Sequence, residues 1–443
     1  MATGIVSSAK KQSWSNWSGS VRCQPRELAK PASIDELATL IRRGNKEGRH
    51  IRVAGAGHSF TPLVQTDDIL ISLDNIRGIE RVDREQMRAT VLGGTRLKEV
   101  GESLFAHGLA QENLGDINVQ SIAGAISTGT HGTGINYGSL ATQVVGLTLV
   151  TASGEILECS AEQNADIFKA AQVSLGVLGV IVKVVLRVVP AKRLHFLSRR
   201  ERLSDVLDDL EKLKQENSHF EFFWMPHTEW VQAKYLNETD EPANESSTWN
   251  TFNRVVLENG VYWLLSEGCR LVPRLARTVS TVSAYGIATV NDVDYSHRLF
   301  STPRKVRFQE MEYSIPAEHT RIVLAEIKNY IERYKFAVHF PVECRFVHSD
   351  DIWLSPAYER EAAYIAVHMY RGMAYQDYFR RVEEIFKRYE GRPHWGKMHT
   401  RTAQELATLY PHWHDFRRIR AELDPAGVFL NDYLRRLFEV EPA

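Results

Sequence analysis

NLGDINVQSIAGAISTGTHGTG, residues 113–134, sets Gly115, Gly124, Gly129, Gly132 and Gly134 among serine, threonine and alanine. Almost none of these side chains can fill a core. A run of this make-up suits a backbone lying against a large flat or charged ligand, where bulk is excluded and hydroxyl or N–H donors are needed. A flexible linker has a similar composition, but the regular strand pattern that follows, QVVGLTLVT (143–151), argues for an ordered segment.

Two further glycine turns lie on either side. In RVAGAGHSFTP (52–62) an apolar run ends in Gly55, Gly57 and His58, and SLGVLGVI (174–181) repeats the theme more weakly. The first is not a dinucleotide fingerprint, because the third glycine would fall at position 60, where the chain has Phe60. It is not a phosphate loop of the Walker type either, and Ser59, Phe60, Thr61 and Pro62 start no helix. Gly55 and Gly57 still permit a backbone that points successive N–H groups at an anion, although a plain strand-ending turn reads the same way.

With 443 residues and 43% hydrophobic content, the chain can build two or three cores. Its 54 Lys and Arg balance 55 Asp and Glu, so no basic excess draws it to nucleic acid or anionic lipid; a small or neutral ligand fits better. No run approaches the roughly 20 apolar residues of a membrane span. The N-terminal MATGIVSSAKKQSWSNWSG has no signal-like apolar stretch, so the expected location is the cytoplasm. Cys23, Cys159, Cys269 and Cys344 lie far apart and read as buried free thiols, and the N-x-S/T triplets at Asn16, Asn237 and Asn244 read as chance matches.

Short β-branched runs alternate with helical patterns to about residue 190, giving an α+β domain rich in glycine turns. From 191 to 397, strand-like runs mix with longer amphipathic helices, which predicts a mixed sheet-plus-helix second domain; residues 237–250 are polar enough for a surface loop. The helical pattern at the C-terminus, within 398–443, is expected to return to the first domain, 1–190.

The second domain carries the polar chemistry. In VECRFV (342–347), Val342, Cys344 and Phe346 fall on one face of a strand, and Glu343 and Arg345 share the other. The next strand-like run puts Ile365, Val367 and Met369 on one side and Tyr364, Ala366, His368 and Tyr370 on the other. A face bearing Glu, Arg, His and Tyr can satisfy the hydroxyls of a sugar-like ligand, and it can also be a solvated face with a salt bridge. RPHWGKMHT (392–400) adds Lys397 in a turn with His394, Trp395 and His399, and no carboxylate or cysteine at ligand spacing suggests a metal.

The order G-x-G-H-S-F, then SIAGAISTGTHGTG, then a strand ending in TASGE, then SLGVLGVI, resembles the PCMH-type FAD-binding domain of the vanillyl-alcohol oxidase flavoprotein family. Within it, the chain is similar to the aldonolactone oxidoreductase and alditol oxidase branch, whose E-x-R and H-W-G-K elements match Glu343, Arg345 and Lys397. The resemblance implies a two-domain α+β flavoprotein with a substrate (cap) domain at 191–397. It implies that FAD is held by Val53, Ala54, Gly55, Ala56, Gly57, His58 and Ser59 around the pyrophosphate, and by Asp116, Ser121, Gly124, Thr128, Gly129, Thr130, His131, Ile181 and Lys397. His58 stands where family oxidases attach the flavin covalently, which its presence allows without requiring.

The implied reaction is hydride transfer from a sugar lactone or a polyol to flavin N5, with Glu343, Arg345, Lys397 and His368 as catalytic residues. Arg345 and Lys397 would stabilise developing negative charge, while Glu343 or His368 would handle the hydroxyl proton, the choice between them staying open. Asp116, where alditol oxidases usually carry serine, favours a lactone. Gly115, a small residue at a position tied to oxygen access, favours dioxygen over another electron acceptor.

Overall fold

The computed structural model describes residues 13–244, 248–301 and 306–441, with side chains from 260 onward in the helix that begins at Thr248. The polar run 237–250 therefore lies partly outside the described residues, as do residues 1–12; the described part, 239–244, is a largely exposed loop.

Three sheets carry the molecule. The first is parallel, with β1 (Glu27–Ala29) and β2 (Ile51–Ala54) flanking β3 (Ile69–Ser72). Helix α1 (Ile34–Lys46) connects β1 to β2 and starts where the Ser33 side chain accepts the Glu36 N–H, with Asp35 and Glu36 in its first turn and Arg43 and Lys46 in its last. Leu37, Ala38 and Ile41 bury its inner face against Ile51, Ile69 and Ile71.

The second sheet is antiparallel. It contains β4 (Ile79–Asp83), β5 (Arg88–Leu92), β6 (Val144–Val150), β7 (Ile156–Ser160) and β8 (Val180–Arg187), in the order β7-β6-β8-β5-β4. Helices α2 (Leu97–Ala106) and α3 (Ile122–Ser127) share its core.

The third sheet has eight strands: β9 (Arg193–Arg202), β10 (His219–Trp224), β11 (Trp230–Glu238), β12 (Val290–Tyr295), β13 (Phe308–Pro316), β14 (Val342–Val347), β15 (Ala362–Tyr370) and β16 (Arg392–Pro393). Their order is β12-β9-β11-β10-β14-β15-β13-β16, antiparallel throughout. Helices α4 (Thr320–Tyr334) and α5 (Gln376–Arg388) cover one face, where Val323, Ile327, Val382 and Phe386 pack with Val342, Cys344, Ile365 and Val367. The opposite face of β13, β14 and β15 is turned to the glycine-rich segments, and the isolated bridge of Gly134 to Val347 joins the two regions there.

The C-terminal helices α6 (Ala403–Leu409), α7 (Trp413–Leu423) and α8 (Asp432–Phe438) send Leu406, Trp413, Phe416, Leu434 and Phe438 into the core that holds Val91, Leu104, Leu149 and Val184. Arg52, fully buried at the centre of β2, binds this return to the glycine turns. Its guanidinium donates to the carbonyls of Leu63 (2.6 Å), Leu175 (2.8 Å), Gly176 (3.0 Å) and Phe429. Burial pulls that guanidinium down to about 10. No helix among the described residues is long and apolar enough to cross a membrane.

Candidate active site

Two adjoining cavities meet at His58, Ser59, Gln120 and Thr128. The first, about 970 Å³ including its open mouth, is walled by the 53–59 turn, by Ser121, Gly124 and Thr128 of the α3 segment, and by Ile181 at the start of β8. The sequence-predicted residues Val53, Ala54, Gly55, Ala56, Gly57, His58, Ser59, Ser121, Gly124, Thr128 and Ile181 all line it. Gly129 does not. It terminates α3 with a φ of +72°, and its N–H is used by the Ile126 carbonyl at 3.0 Å.

The turn after β2 is fixed from both sides. Gly57 takes a φ of +70°, its carbonyl accepts the Trp17 N–H at 2.8 Å, and the Ser59 carbonyl accepts from Asn16 Nδ2 at 2.9 Å. Asn16 is buried in this role, so the first N-x-S triplet is a structural element. A Cβ on Gly55 would lie 2.3 Å from Ser121 Oγ, so two cavity walls approach as closely as the missing side chain permits. Arg96 also lines this cavity, and its buried Nη1 has no hydrogen-bond partner among the described residues, while Nη2 donates to Asp74 at 2.7 Å. A glycine cradle beside an unpartnered guanidinium N–H fits an extended cofactor carrying phosphates. Sequence reasoning missed Arg96, because in GGTRLKEV it reads only as the start of a helix.

The second cavity, about 780 Å³, is built from side chains of β13, β14 and β15 and of the loops and turns that face them. Glu343 and Arg345 of β14, His368 of β15 and Lys397 line it as expected, together with Gly115, Asp116, Thr130 and His131. The alternation along β15 holds as far as His368, whereas Tyr370 packs with Phe340 in the apolar core and donates its hydroxyl to Glu267.

Arg345 is the hub of one charge group. Its Nε donates to Glu221 at 2.6 Å, and its Nη2 lies 2.9 Å from Asp116 and 2.7 Å from Glu343 without a well-aligned hydrogen bond to either. Lys234 pairs with Glu221 from behind at 2.9 Å. Burial disfavours the Arg345 charge, but Asp116, Glu221 and Glu343 outweigh it and hold the guanidinium well above its ordinary range. Burial likewise opposes ionisation of Glu221, and Arg345 and Lys234 reverse that effect.

A second group lies on β13. Burial acts against the Glu310 charge, but Lys397, 2.5 Å away, and His368, 3.5 Å away, take the carboxyl down to about 2. Glu312 is held well below the carboxylate range against burial by His131, at 3.2 Å, and by His394 and Lys397. The period-two pattern of FQEMEYSIP (308–316) places both glutamates on one strand face, a signal present in the sequence but overlooked.

His131, Glu312 and His394 bring three potential ligand atoms within 4.8 Å of one another, so a carboxylate from a distant strand does join the histidine of the HWGK turn. However, the His394 Nδ1 accepts the Gly396 N–H at 3.0 Å, which puts the ring hydrogen on Nε2 and leaves no lone pair for a cation. Burial, with Lys397 and His131 nearby and Glu312 opposing, lowers the His394 imidazolium to about 3. His399, the other histidine of that turn, instead meets the Tyr433 hydroxyl at 3.0 Å.

His58 stands at the junction, stacked on Trp17 with ring centroids 5.5 Å apart. Burial and the positive charges of Lys397 and Arg96 lower its imidazolium to about 4, so the ring is neutral near pH 7. Gly115 lines the second cavity, but its absent side chain points away from a simple path: a Cβ there would lie 2.7 Å from the His131 carbonyl oxygen. A methyl at residue 115 would therefore press on the backbone of residue 131 rather than narrow an opening.

A glycine-walled channel opens onto a charged chamber at one neutral histidine, an arrangement that can hold an extended cofactor beside a polar ligand. Residues 25–160 match the family model of an FAD binding domain, and residues 184–437 match that of D-arabinono-1,4-lactone oxidase. The chain is 41% identical over 424 residues to the L-gulono-1,4-lactone dehydrogenase of Mycobacterium tuberculosis, covering 96% of this chain and 98% of that protein. It is 36% identical over 430 residues to the L-gulonolactone oxidase of Scyliorhinus torazame, with 96% and 97% covered. Among solved structures, cholesterol oxidase from B. sterolicum superimposes with a TM-score of 0.81 at 17% identity, with 96% of each chain covered. The chain is thus a two-domain α+β flavoprotein that binds FAD. It belongs to the D-arabinono-1,4-lactone oxidase family.

Proposed function

We propose that the protein oxidises a neutral aldonolactone such as L-gulono-1,4-lactone at a carbinol carbon, with FAD as the hydride acceptor. The observation that carries this reading is the charge pattern of the second cavity. Asp116, Glu310, Glu312 and Glu343 line it with only Arg345 and Lys397 as full cations. So many carboxylates repel an anionic sugar acid, while carboxylate oxygens can accept hydrogen bonds from hydroxyls of a neutral ring. The relatives' names, L-gulono-1,4-lactone dehydrogenase and L-gulonolactone oxidase, support the same substrate class.

In this reading residues 1–190 with 398–443 hold the cofactor and 191–397 hold the substrate. Val53 to Ser59, Ser121, Gly124, Thr128 and Ile181, with Arg96, would carry FAD. Asp116, Thr130, His131 and Lys397 would border its redox end, where the bound flavin accepts a hydride. Arg345 and Lys397 orient the substrate oxygens and stabilise negative charge as it forms, and Glu343 fixes hydroxyls. His58, neutral and fixed beside both cavities, is suited to a covalent flavin bond through a ring nitrogen. Four buried free cysteines support action in a reducing compartment, the cytoplasm.

Anaerobic addition of L-gulono-1,4-lactone should bleach the flavin absorption, whereas the open aldonate should not. Bleaching by xylitol but not by lactone would replace this reading with a polyol oxidase. Dioxygen is the proposed acceptor, supported by the relatives named oxidases, such as the L-gulonolactone oxidase of Scyliorhinus torazame. The 41%-identical relative, named a dehydrogenase, favours a second reading with another acceptor. Air reoxidation of the reduced flavin in stopped flow separates them.

A further inference from the structure

One rung of the large sheet runs as a line of alternating charge into the chamber. The registers set Lys234 of β11 opposite Glu221 of β10, and Glu221 opposite Arg345 of β14, so the three side chains share one face. Lys234 Nζ donates to Glu221 Oε1 at 2.9 Å, and Arg345 Nε donates to Glu221 Oε2 at 2.6 Å, so one carboxylate gives an oxygen to each cation. Arg345 lines the chamber, whereas Glu221 and Lys234 stand outside its wall. The Lys234 ammonium is held in turn over the ring of Phe223, two residues along β10, at 4.1 Å from the centroid.

The rung sits where the sheet opens. Pairing of β10 with β14 runs from Trp224 and Val342 to Glu221 and Arg345 and stops there. One position further on, Thr133 from the end of the glycine run bridges the two strands. Its hydroxyl donates to the Phe220 carbonyl at 2.5 Å and accepts the Phe346 N–H at 3.2 Å, and the Gly134 N–H donates to the Phe346 carbonyl at 2.7 Å. The backbone beside Arg345 is therefore tied to residues 113–134. From the same segment Asp116 comes within 2.9 Å of Arg345 Nη2, and Glu343 lies 2.7 Å from it.

We propose that Glu221, backed by Lys234, is the positioning residue for Arg345, fixing the guanidinium plane through Nε so that the outer nitrogens face Asp116, Glu343 and the substrate; this rests on the lactone reading above. A guanidinium is a flat fork, and a carboxylate on its Nε–H sets the direction of the other four N–H groups. Without that anchor the fork is free to turn and close as a two-point pair on Asp116 or Glu343. Such a pair would draw the cation away from the substrate oxygens. Lys234 takes the second oxygen of Glu221 and balances its charge, so the two together add orientation to the chamber and no net charge. Neither the E-x-R nor the H-W-G-K element contains these residues.

Two charge-balanced double variants of the flavin-loaded enzyme separate orientation from charge. Glu221→Gln with Lys234→Met keeps an acceptor oxygen for the Arg345 Nε–H, and Glu221→Leu with Lys234→Met removes it. In anaerobic stopped flow with L-gulono-1,4-lactone, the Leu pair should lower the limiting reduction rate roughly 30-fold and the Gln pair about 3-fold. Glu221→Asp alone, which keeps the charge but draws the acceptor back by one methylene, should fall between them and serves where the Leu pair does not hold flavin. Equal rates in the two double variants, or a wild-type rate in the Leu pair or in Glu221→Asp, would overturn the proposal. A readout without substrate is the Arg345 Nε–H resonance of arginine-labelled holoenzyme, assigned by its absence in Arg345→Lys. It should be shifted downfield and slow to exchange in wild type and should lose both properties in the Leu pair; an unchanged resonance there overturns the assignment. If no lactone or polyol reduces the wild-type flavin, the substrate reading fails on that result, while the resonance still decides whether Glu221 holds Arg345.

Discussion

The two cavities meet at one histidine but are made of different material. The first cavity, the channel proposed for the cofactor, is lined largely by main chain, glycine, serine and threonine on turns that follow strands. The charged chamber is lined by Glu, Arg and His projecting from adjacent strands of one sheet, with Asp116, His131, His394 and Lys397 supplied by loops and turns. A main-chain wall recognises what every such cofactor shares, its phosphates and its flat rings, and tolerates no added bulk. A side-chain wall recognises a particular set of hydroxyls, and its groups must first neutralise one another. The first should therefore fail through steric intrusion and the second through unpaired charge.

The sharpest test of the second failure mode is Arg345→Met. Read from sequence alone, this change should spare the fold and cost only turnover. The structure shows Arg345 as counter-ion to Asp116, Glu221 and Glu343, so its loss leaves buried carboxylates without compensation. The expected outcome is a fall in kcat/KM of roughly 10³-fold, equivalent to about 4 kcal/mol. A loss of stability on the order of 3–5 kcal/mol, measured by denaturant unfolding, should accompany it. A variant as stable as wild type would show that the carboxylates protonate or find water, and that the chamber does not depend on Arg345 for assembly.

Gly115→Ala tests the first mode at the border between the cavities. Its Cβ would meet the His131 carbonyl at 2.7 Å, so residues 113–116 or 130–132 must move. The cost should be about 1–3 kcal/mol in stability, as for overpacking elsewhere. Reduction by lactone and reoxidation by air should slow together, since His131 is tied to Glu312 in the chamber wall. Loss of air reoxidation alone, with lactone reduction intact, would instead restore the idea of an oxygen path through Gly115.

The same contrast explains what is legible in the chain. Glycine runs announce a main-chain site locally, so the residues of 52–62, 113–134 and 174–181 point to the channel by composition and spacing, and Gly129 is the one residue drawn in that only ends a helix. The face shared by Glu343 and Arg345 is also legible from alternation. Their partners are not, because strand order does not follow sequence order: Glu221 reaches Arg345 across 124 residues, through β10 pairing with β14. The period-two pattern of β13 says that Glu310 and Glu312 share a face, but only register shows that this face meets His368. Arg96 and Arg52 carry no local signal at all, since an arginine serving carbonyls or a phosphate looks like any surface arginine in sequence.

His58 belongs to both regions, and a milder test asks which one governs it. With its imidazolium lowered to about 4, the ring is a neutral nucleophile across the neutral range. Acid-precipitated wild type should give a yellow, fluorescent pellet, and His58→Ala should release its flavin to the supernatant while still reducing it with lactone at a lower rate. Colour lost entirely to the supernatant in wild type would show that the histidine stacks on Trp17 and borders the flavin without bonding to it.

The smallest effect on catalysis is expected where a loop of the large sheet enters the core of the other region. Between β14 and β15, residues Ile352, Trp353 and Leu354 join the cluster that contains Trp395 and Leu406, and Asp350 holds this loop. Its carboxyl accepts the Ile352 N–H at 3.1 Å and the Ser355 hydroxyl at 2.6 Å. Burial outweighs these bonds and pushes it up to about 6 from 3.8. The folded state therefore binds a proton more tightly than the unfolded chain does. Stability from this group is fully present below pH 3.8, falls as pH rises through the window to 6, and stays lost above it. In Asp350→Asn the amide oxygen can still accept from Ile352 and the amide NH2 can donate to Ser355 Oγ, all with a neutral group, so the variant should gain on the order of 2–3 kcal/mol over wild type at pH 7 and almost nothing at pH 4. Tm measured for both proteins across that range checks it: a difference that does not grow between pH 4 and 6 would mean that Asp350 is ionised in the folded loop and that water or Arg392 reaches it.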